Sequence, residues 1–95
     1  MPVYILLSTL TDDGARTLRE KPGRVAEVNR EVEAMGAKVV AQYATLGHYD
    51  FVSIVEAPNE KVIAKVSIAL SARGSVRIET LTGIPVEQFS QAVAG

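Results

Sequence analysis

The residues best equipped for chemistry gather at one bend. Leu46-Gly47-His48-Tyr49-Asp50-Phe51 holds the chain's single histidine, one of its three tyrosines and an aspartate. The bend lies between two apolar runs, Val39 to Leu46 and Phe51 to Val55, which is the punctuation of a β-hairpin. Side chains at such a bend leave the packed faces of a sheet and can meet a ligand or a partner. Asp50 could accept a proton or anchor a polar group, and Tyr49 could line the mouth of a pocket beside it. The plainer role is architectural: Gly47 permits a positive φ and Asp50 accepts hydrogen bonds from turn amides. His48 could titrate near neutrality, shuttle a proton or ligate haem iron. With no cysteine, no second histidine and no H-x-x-x-H or carboxylate-rich signature, it reads better as an exposed loop histidine, and no metal or cofactor is expected.

A second group lies further along the chain. Arg77 and Glu79 stand two apart in a strand-like stretch and so share a face. An arginine enclosed there could grip a carboxylate or phosphate bidentately, with Glu79 orienting it. The simpler alternative is an Arg77–Glu79 pair, or a salt bridge between subunits, in a solvated row. Gln42 and Ser53 interrupt otherwise apolar strands and are expected to converge on the same space. Tyr4 and Tyr43 could add hydroxyls, although tyrosine in a strand is more commonly packing with a wet tip.

Several chemistries are disfavoured by what the chain lacks. No serine sits in a G-x-S-x-G elbow, and no phosphate-cradling glycine motif occurs. Ten basic and eleven acidic residues leave a net charge of -1, which gives no footprint for nucleic acid. The absence of cysteine removes disulfides and thiol chemistry. Val3 to Leu7 is too short an apolar run to span a bilayer, and Met1-Pro2-Val3 carries no charged leader, so no membrane association is expected and cytoplasm is the default compartment.

The elements that must position these residues follow from periodicity. Residues 1–95 hold one domain, since so short a chain cannot enclose two cores. Val3 to Leu10 reads as a strand, closed by the polar breaker Thr11-Asp12-Asp13-Gly14. Ala15 to Lys21 suggests a short helical turn that Pro22 interrupts. From Pro22 a helix carries Val25, Val28, Val32 and Met35 on one side, with Arg24, Glu27, Arg30, Glu31 and Glu33 on a solvated side, and Gly36 stops it. Lys38 to Leu46 and Phe51 to Glu56 form the central hairpin. Pro58-Asn59 opens a helix with Val62, Ile63, Val66, Ala69 and Leu70 on one face, and Gly74 caps it. Ser75 to Leu81 alternates as a fourth strand. Beyond Gly83 and Pro85, the residues Val86, Phe89, Ala92 and Val93 outline a short amphipathic helix.

The order βαββαβ plus a tail is the split βαβ arrangement, an α+β fold with both helices on one face of a four-stranded antiparallel sheet. Its first and third strands are nevertheless apolar on both alternating sets: Val3/Ile5/Leu7 against Tyr4/Leu6, and Phe51/Val55 against Val52/Ile54. Two apolar faces imply two covers, and the helices supply one. The other is expected to pack against a second copy of the chain.

The block Tyr43-Ala44-Thr45-Leu46-Gly47-His48-Tyr49-Asp50 resembles the GYD-domain family, with one residue inserted between the glycine and the tyrosine. Met1-Pro2-Val3-Tyr4-Ile5, Val55-Glu56-Ala57-Pro58 and Gly74 to Leu81 extend the resemblance over nearly the whole chain. It implies a ferredoxin-like fold of the kind that builds dimeric α/β barrels and higher assemblies, and it implies no particular reaction. His48 falls where family members vary, which speaks against a role specific to imidazole.

The functional expectation is a homo-oligomeric small-molecule-binding or assembly module. Its ligand-facing residues would come from Tyr4, His48, Tyr49, Asp50, Arg77 and Glu79, with Gly47 and Asp50 shaping the turn. One alternative is a small cofactor-independent oxygenase or isomerase with Asp50 or His48 as base and Arg77 as anion stabiliser. The other is a regulatory protein-interaction domain.

Overall fold

The computed structural model describes residues 1–95. Eight elements follow one another: β1 (Val3–Leu10), α1 (Asp12–Glu20), α2 (Arg24–Ala34), β2 (Lys38–Ala44), β3 (Phe51–Glu56), α3 (Glu60–Ser71), β4 (Val76–Gly83) and α4 (Val86–Val93). The strands form one antiparallel sheet in the order β2-β3-β1-β4. The α+β class and the antiparallel sheet agree with the periodicity, but the order carries one helix more than βαββαβ plus a tail.

That extra helix, α1, replaces the expected breaker and short turn. Thr11 is its N-cap, with extended backbone and a side chain that accepts the Gly14 N–H at 3.1 Å. Asp12 and Asp13 then occupy the first turn, where carboxylates favour the helix dipole. A polar cluster that looks like a stop is thus a helix start. Pro22 and Gly23 form the break before α2 rather than its first turn. Asn59 caps α3 as its position suggests, accepting the Val62 N–H at 3.0 Å. Gly36 and Gly74 end α2 and α3 near φ 101° and 79°, the left-handed region that favours glycine.

Strand parity decides which side chains meet the helices. Tyr4 pairs with Val55, and Leu6 with Ser53, so these lie on one face. Val32 of α2 and Ile63 and Val66 of α3 pack on that face to make the core, with Ala37 and Ala57 filling the approaches to β2 and from β3. The other face carries Val3, Ile5 and Leu7 of β1, Val52 and Ile54 of β3, and Leu81 of β4. None of these is buried, and Leu81 on one edge strand and Tyr43, which pairs with Val52 on the other edge, are exposed. A bulge at Val40 shifts the β2 register, leaving Val40 itself exposed.

Nothing in the subunit covers this second face. α4 is the only element left to do so, and every residue from Pro85 to Gly95 is exposed. The molecule is correspondingly long, 51 Å by 29 Å by 19 Å.

One contact fixes how α1 seats. The Thr11 N–H donates to the Ser75 carbonyl at 3.0 Å, and its hydroxyl donates to the Gly74 carbonyl at 2.6 Å. This brings Gly14 so close that a Cβ there would lie 2.0 Å from the Ser75 oxygen. Gly14→Ala is therefore expected to cost about 1–3 kcal/mol or more, whereas Gly23→Ala, with no atom within 4 Å, should be neutral or mildly stabilising. Thermal unfolding of the two variants checks the contrast.

Candidate functional site

The hairpin between β2 and β3 is held to β1 by its aspartate. β3 begins at Phe51, paired with Ser8, while β1 runs on to Leu10. Asp50 continues the attachment in two ways: its backbone N–H donates to the Ser8 carbonyl at 2.8 Å, and its Oδ2 accepts the Leu10 N–H at 2.7 Å. A carboxylate thus stands where the next strand residue would have offered a carbonyl. Across the turn, the Thr45 N–H donates to the Asp50 carbonyl at 2.8 Å and the Thr45 hydroxyl to the Tyr49 carbonyl at 2.6 Å. Gly47 adopts φ 129° with open space where a Cβ would stand, so backbone conformation and not crowding selects glycine.

With Asp50 fixed, Tyr49 reaches across the sheet to β4. Its hydroxyl donates to Glu79 Oε2 at 2.6 Å. Glu79 pairs with Leu7 and Leu7 with Val52, so this bridge lies on the uncovered apolar face. The phenol is held above its ordinary 10.0 first by that hydrogen bond, then by partial desolvation and by the carboxylate charge. His48 is exposed at the tip and stands edge-on to Tyr49, ring centroids 5.2 Å apart. Leu46, two residues before it, is half-buried by no neighbour and stands fully exposed.

Three expected groupings differ in the folded chain. Glu79 carries Tyr49, and the Arg77–Glu79 ion pair does not form; Arg77, paired with Thr9 in register, makes no salt bridge within the subunit. Tyr4 is buried in the core on the helix face, so it cannot join Tyr49, Arg77 and Glu79 in one pocket. Gln42 and Ser53 also face the helices. Asn29 Nδ2 donates to Gln42 Oε1 at 2.7 Å, and Gln42 Nε2 donates to Ser53 Oγ at 3.0 Å. One alternation explains both corrections: Tyr4 and Ser53 share parity with the core, whereas Arg77 and Glu79 share it with Leu7 and Thr9.

That polar chain borders a feature invisible to sequence periodicity. A cavity of about 140 Å³ lies between sheet and helices, lined by apolar residues that include Leu6, Leu18, Val28, Val55, Leu70 and Ile78, and edged by Arg24 and Arg73. Both guanidinium groups are engaged by Glu31: Arg24 at 3.2 Å, and Arg73 at its other oxygen. The Arg73 hydrogen bond is the largest cause holding the Glu31 carboxyl below its ordinary 4.5. The charged side of α2 therefore does more than meet solvent, since Arg73 ties it to the end of α3. The polar interruptions at Gln42 and Ser53 pointed to a polar site, Asn29 among the valines of α2 is its third member, and nothing in the spacing encodes a volume.

No three histidine or acidic side chains come together as a metal site, and no helix is long and apolar enough to cross a membrane.

The chain belongs to the GYD-domain family, whose sequence model, described as "GYD domain", matches residues 4–93. It is 55% identical over 87 residues to the "Glutamine synthetase and cystathionine beta-lyase binding protein" of Thermus thermophilus, covering 90% of this chain and 92% of that one. Among solved structures it is similar to TTHA0845, also from Thermus thermophilus, with a TM-score of 0.59 at 20% identity over 90% of this chain and 95% of that one. It is also similar to FFRP-DM1, with a TM-score of 0.55 at 22% identity over 88% of this chain and 100% of that one. These two likenesses are of fold alone.

Two outcomes are expected at the hairpin. Asp50→Ala removes the charged acceptor of the Leu10 N–H and should cost about 1–3 kcal/mol in urea unfolding, with faster amide exchange at Leu10, whereas Asp50→Asn should lose less. Because the folded phenol of Tyr49 ionises above its unfolded value, the Tyr49–Glu79 bridge contributes fully below the ordinary 10.0 and is lost as pH rises through the higher folded value. Ultraviolet titration, with Tyr49→Phe identifying the signal, should show Tyr49 ionising at lower pH in Glu79→Ala.

Proposed function

We propose that this GYD-domain protein is a non-catalytic interaction module that pairs with a second copy through its open sheet face and docks other proteins. The observation that carries the reading is the uncovered row Ile5, Ile54 and Leu81, at the middle of a sheet whose other face is already occupied by three helices. Soluble monomers rarely leave so continuous an apolar surface in water, whereas a two-fold pair hides it by self-complementarity. Two sheets packed in this way give the dimeric α/β barrel arrangement. The Tyr49–Glu79 bridge and Arg77 would then border the shared space, where a small organic ligand could also lodge.

A binding role is supported by the chemistry at the hairpin. The carboxylate of Asp50 is committed to the Leu10 N–H, and His48 projects from the tip instead of facing Arg77 across a pocket. This arrangement gives little support to an oxygenase or isomerase using Asp50 or His48 as a base. The tip is instead suited to contact: Leu46 is wholly exposed near His48 on a hairpin tied firmly to β1. Protein partners are also supported by the Thermus thermophilus relative, whose name describes it as binding glutamine synthetase and cystathionine beta-lyase.

The cavity under the helices favours a second, compatible reading, in which a small apolar molecule modulates the module. Its volume of about 140 Å³ is close to that of an apolar cavity of about 150 Å³ that accepts benzene.

Sedimentation of the purified protein should give at least twice the 10.2 kDa chain mass. Ile5→Lys should leave the helix-side core folded but shift the species to a single chain. Binding to purified glutamine synthetase and cystathionine beta-lyase from the source organism, measured by interferometry, should be detectable and should weaken in Leu46→Asp. A folded monomeric wild type that binds neither enzyme would reject the reading.

A further inference from the structure

Charge is distributed unevenly around the cavity under the helices. Its only charged lining side chains are Arg24, at the start of α2, and Arg73, just past the end of α3; none is acidic. Glu27 and Glu31, the carboxylates that pair with these arginines, stand outside the lining. The two guanidinium groups approach Glu31 from different helices, one at each carboxylate oxygen, and both contacts run through Nη1. A guanidinium carries five donors in a planar fork, so each keeps donors for a second acceptor. The arginine side chains are 32% and 38% exposed, which puts their heads at the mouth, where the cavity meets solvent. Lys21 joins the group through Glu27 at 3.4 Å. Lys21, Arg24 and Arg73 against Glu27 and Glu31 leave one positive charge in surplus.

We propose that the cavity holds a small apolar monocarboxylic acid, aromatic or branched, whose ring or alkyl body fills the interior while its carboxylate takes the remaining donors of Arg24 and Arg73. This rests on the reading of the cavity as a ligand site and names the chemistry it selects. The interior suits the body: Leu6, Val28, Phe51, Val55, Leu70 and Ile78 form its walls. The polar groups at its edge do not call for a ligand head, because Asn29, Gln42 and Ser53 already bond to one another. The head therefore belongs at the mouth. A carboxylate is costly to remove from water unless charged donors meet it, and two convergent guanidinium groups meet it well. A volume of about 140 Å³ takes a body of about the size of benzene, which excludes a long acyl chain.

Arginine stems also pack on apolar walls with their heads turned to water, and a neutral isostere of the acid separates the two arrangements. Benzoate and benzamide are titrated at pH 7 into isotope-labelled full-length protein, and amide shifts are followed. Benzoate is expected to move the Leu10, Val28, Phe51 and Leu70 amides and to bind roughly tenfold or more tighter than benzamide. Arg73→Gln should abolish that preference. Glu31→Gln, which releases both guanidinium groups, should tighten benzoate severalfold relative to benzamide; circular dichroism checks that each variant is folded, and Glu31→Gln alone decides if Arg73→Gln is not. Equal affinity for the two compounds, or a preference that Glu31→Gln leaves unchanged, overturns the carboxylate site while leaving an apolar cavity in place. Benzoate shifts confined to the open face around Arg77 overturn it as well. If neither compound moves the cavity amides at millimolar concentration, the cavity is not a ligand site and the acid falls with it.

Discussion

The sheet is apolar on both faces, and a single layer of helices has been made to serve it. This imbalance organises the molecule. α2 and α3 pack on Tyr4, Leu6 and Val55, α1 seats by Leu10 and Ser75, and the opposite row of Val3, Ile5, Leu7, Val52 and Ile54 remains uncovered. At about 25 cal/mol per Å², even a few hundred Å² of such surface is worth several kcal/mol once water is removed. That is comparable to the whole net stability of a small domain. A chain with this pattern has a large thermodynamic reason to find a second layer, and an identical sheet offers the same shape and polarity.

The hairpin divides distinct structural duties among a few residues. Gly47 supplies the backbone conformation, Asp50 fastens the turn to β1, and Tyr49 extends over the open face to Glu79. Leu46 is left fully exposed at the tip, and His48 stands exposed there with its ring edge-on to Tyr49. Asp50 holds the bend rigid, so Tyr49 and the tip are presented in fixed positions, which lowers the ordering cost of any contact they make. The polar row on the other face does a different job. Asn29, Gln42 and Ser53 satisfy one another beneath α2, where unpaired amides would be costly. The Arg24–Glu31–Arg73 cluster clamps α2 to the end of α3 at the edge of the cavity.

Much of this was legible along the chain. The strand runs, the Asn59 cap of α3, the glycine stops at Gly36 and Gly74, and the hairpin around Gly47 are local signals, set by neighbours three or four residues apart. Thr11-Asp12-Asp13-Gly14 was the ambiguous stretch, because the residues that break a strand also cap a helix. The outcome there was decided by docking: Ser75, some sixty positions away, accepts the Thr11 N–H and leaves room only for glycine at position 14. Among the site residues, the shared face of Arg77 and Glu79 followed from their spacing, but their pairing did not. Tyr49, remote in sequence, offers Glu79 a short hydrogen bond, and Arg77 remains without a salt-bridge partner.

By itself, then, the sequence determined the kinds of elements, the GYD-type hairpin and the fact that β1 and β3 carry apolar side chains on both sides. Those properties arise from periodicity and backbone preference, which act between near neighbours. Only the tertiary structure decided that Tyr4, Gln42 and Ser53 belong with the helices while Tyr49 and Glu79 belong to the open face, that the Asp50 carboxylate is spent on the Leu10 amide, and that α4 leaves its own subunit bare. The physical reason is strand register: a displacement of one residue moves every side chain to the opposite face, and that register is set by contacts between segments forty or more positions apart.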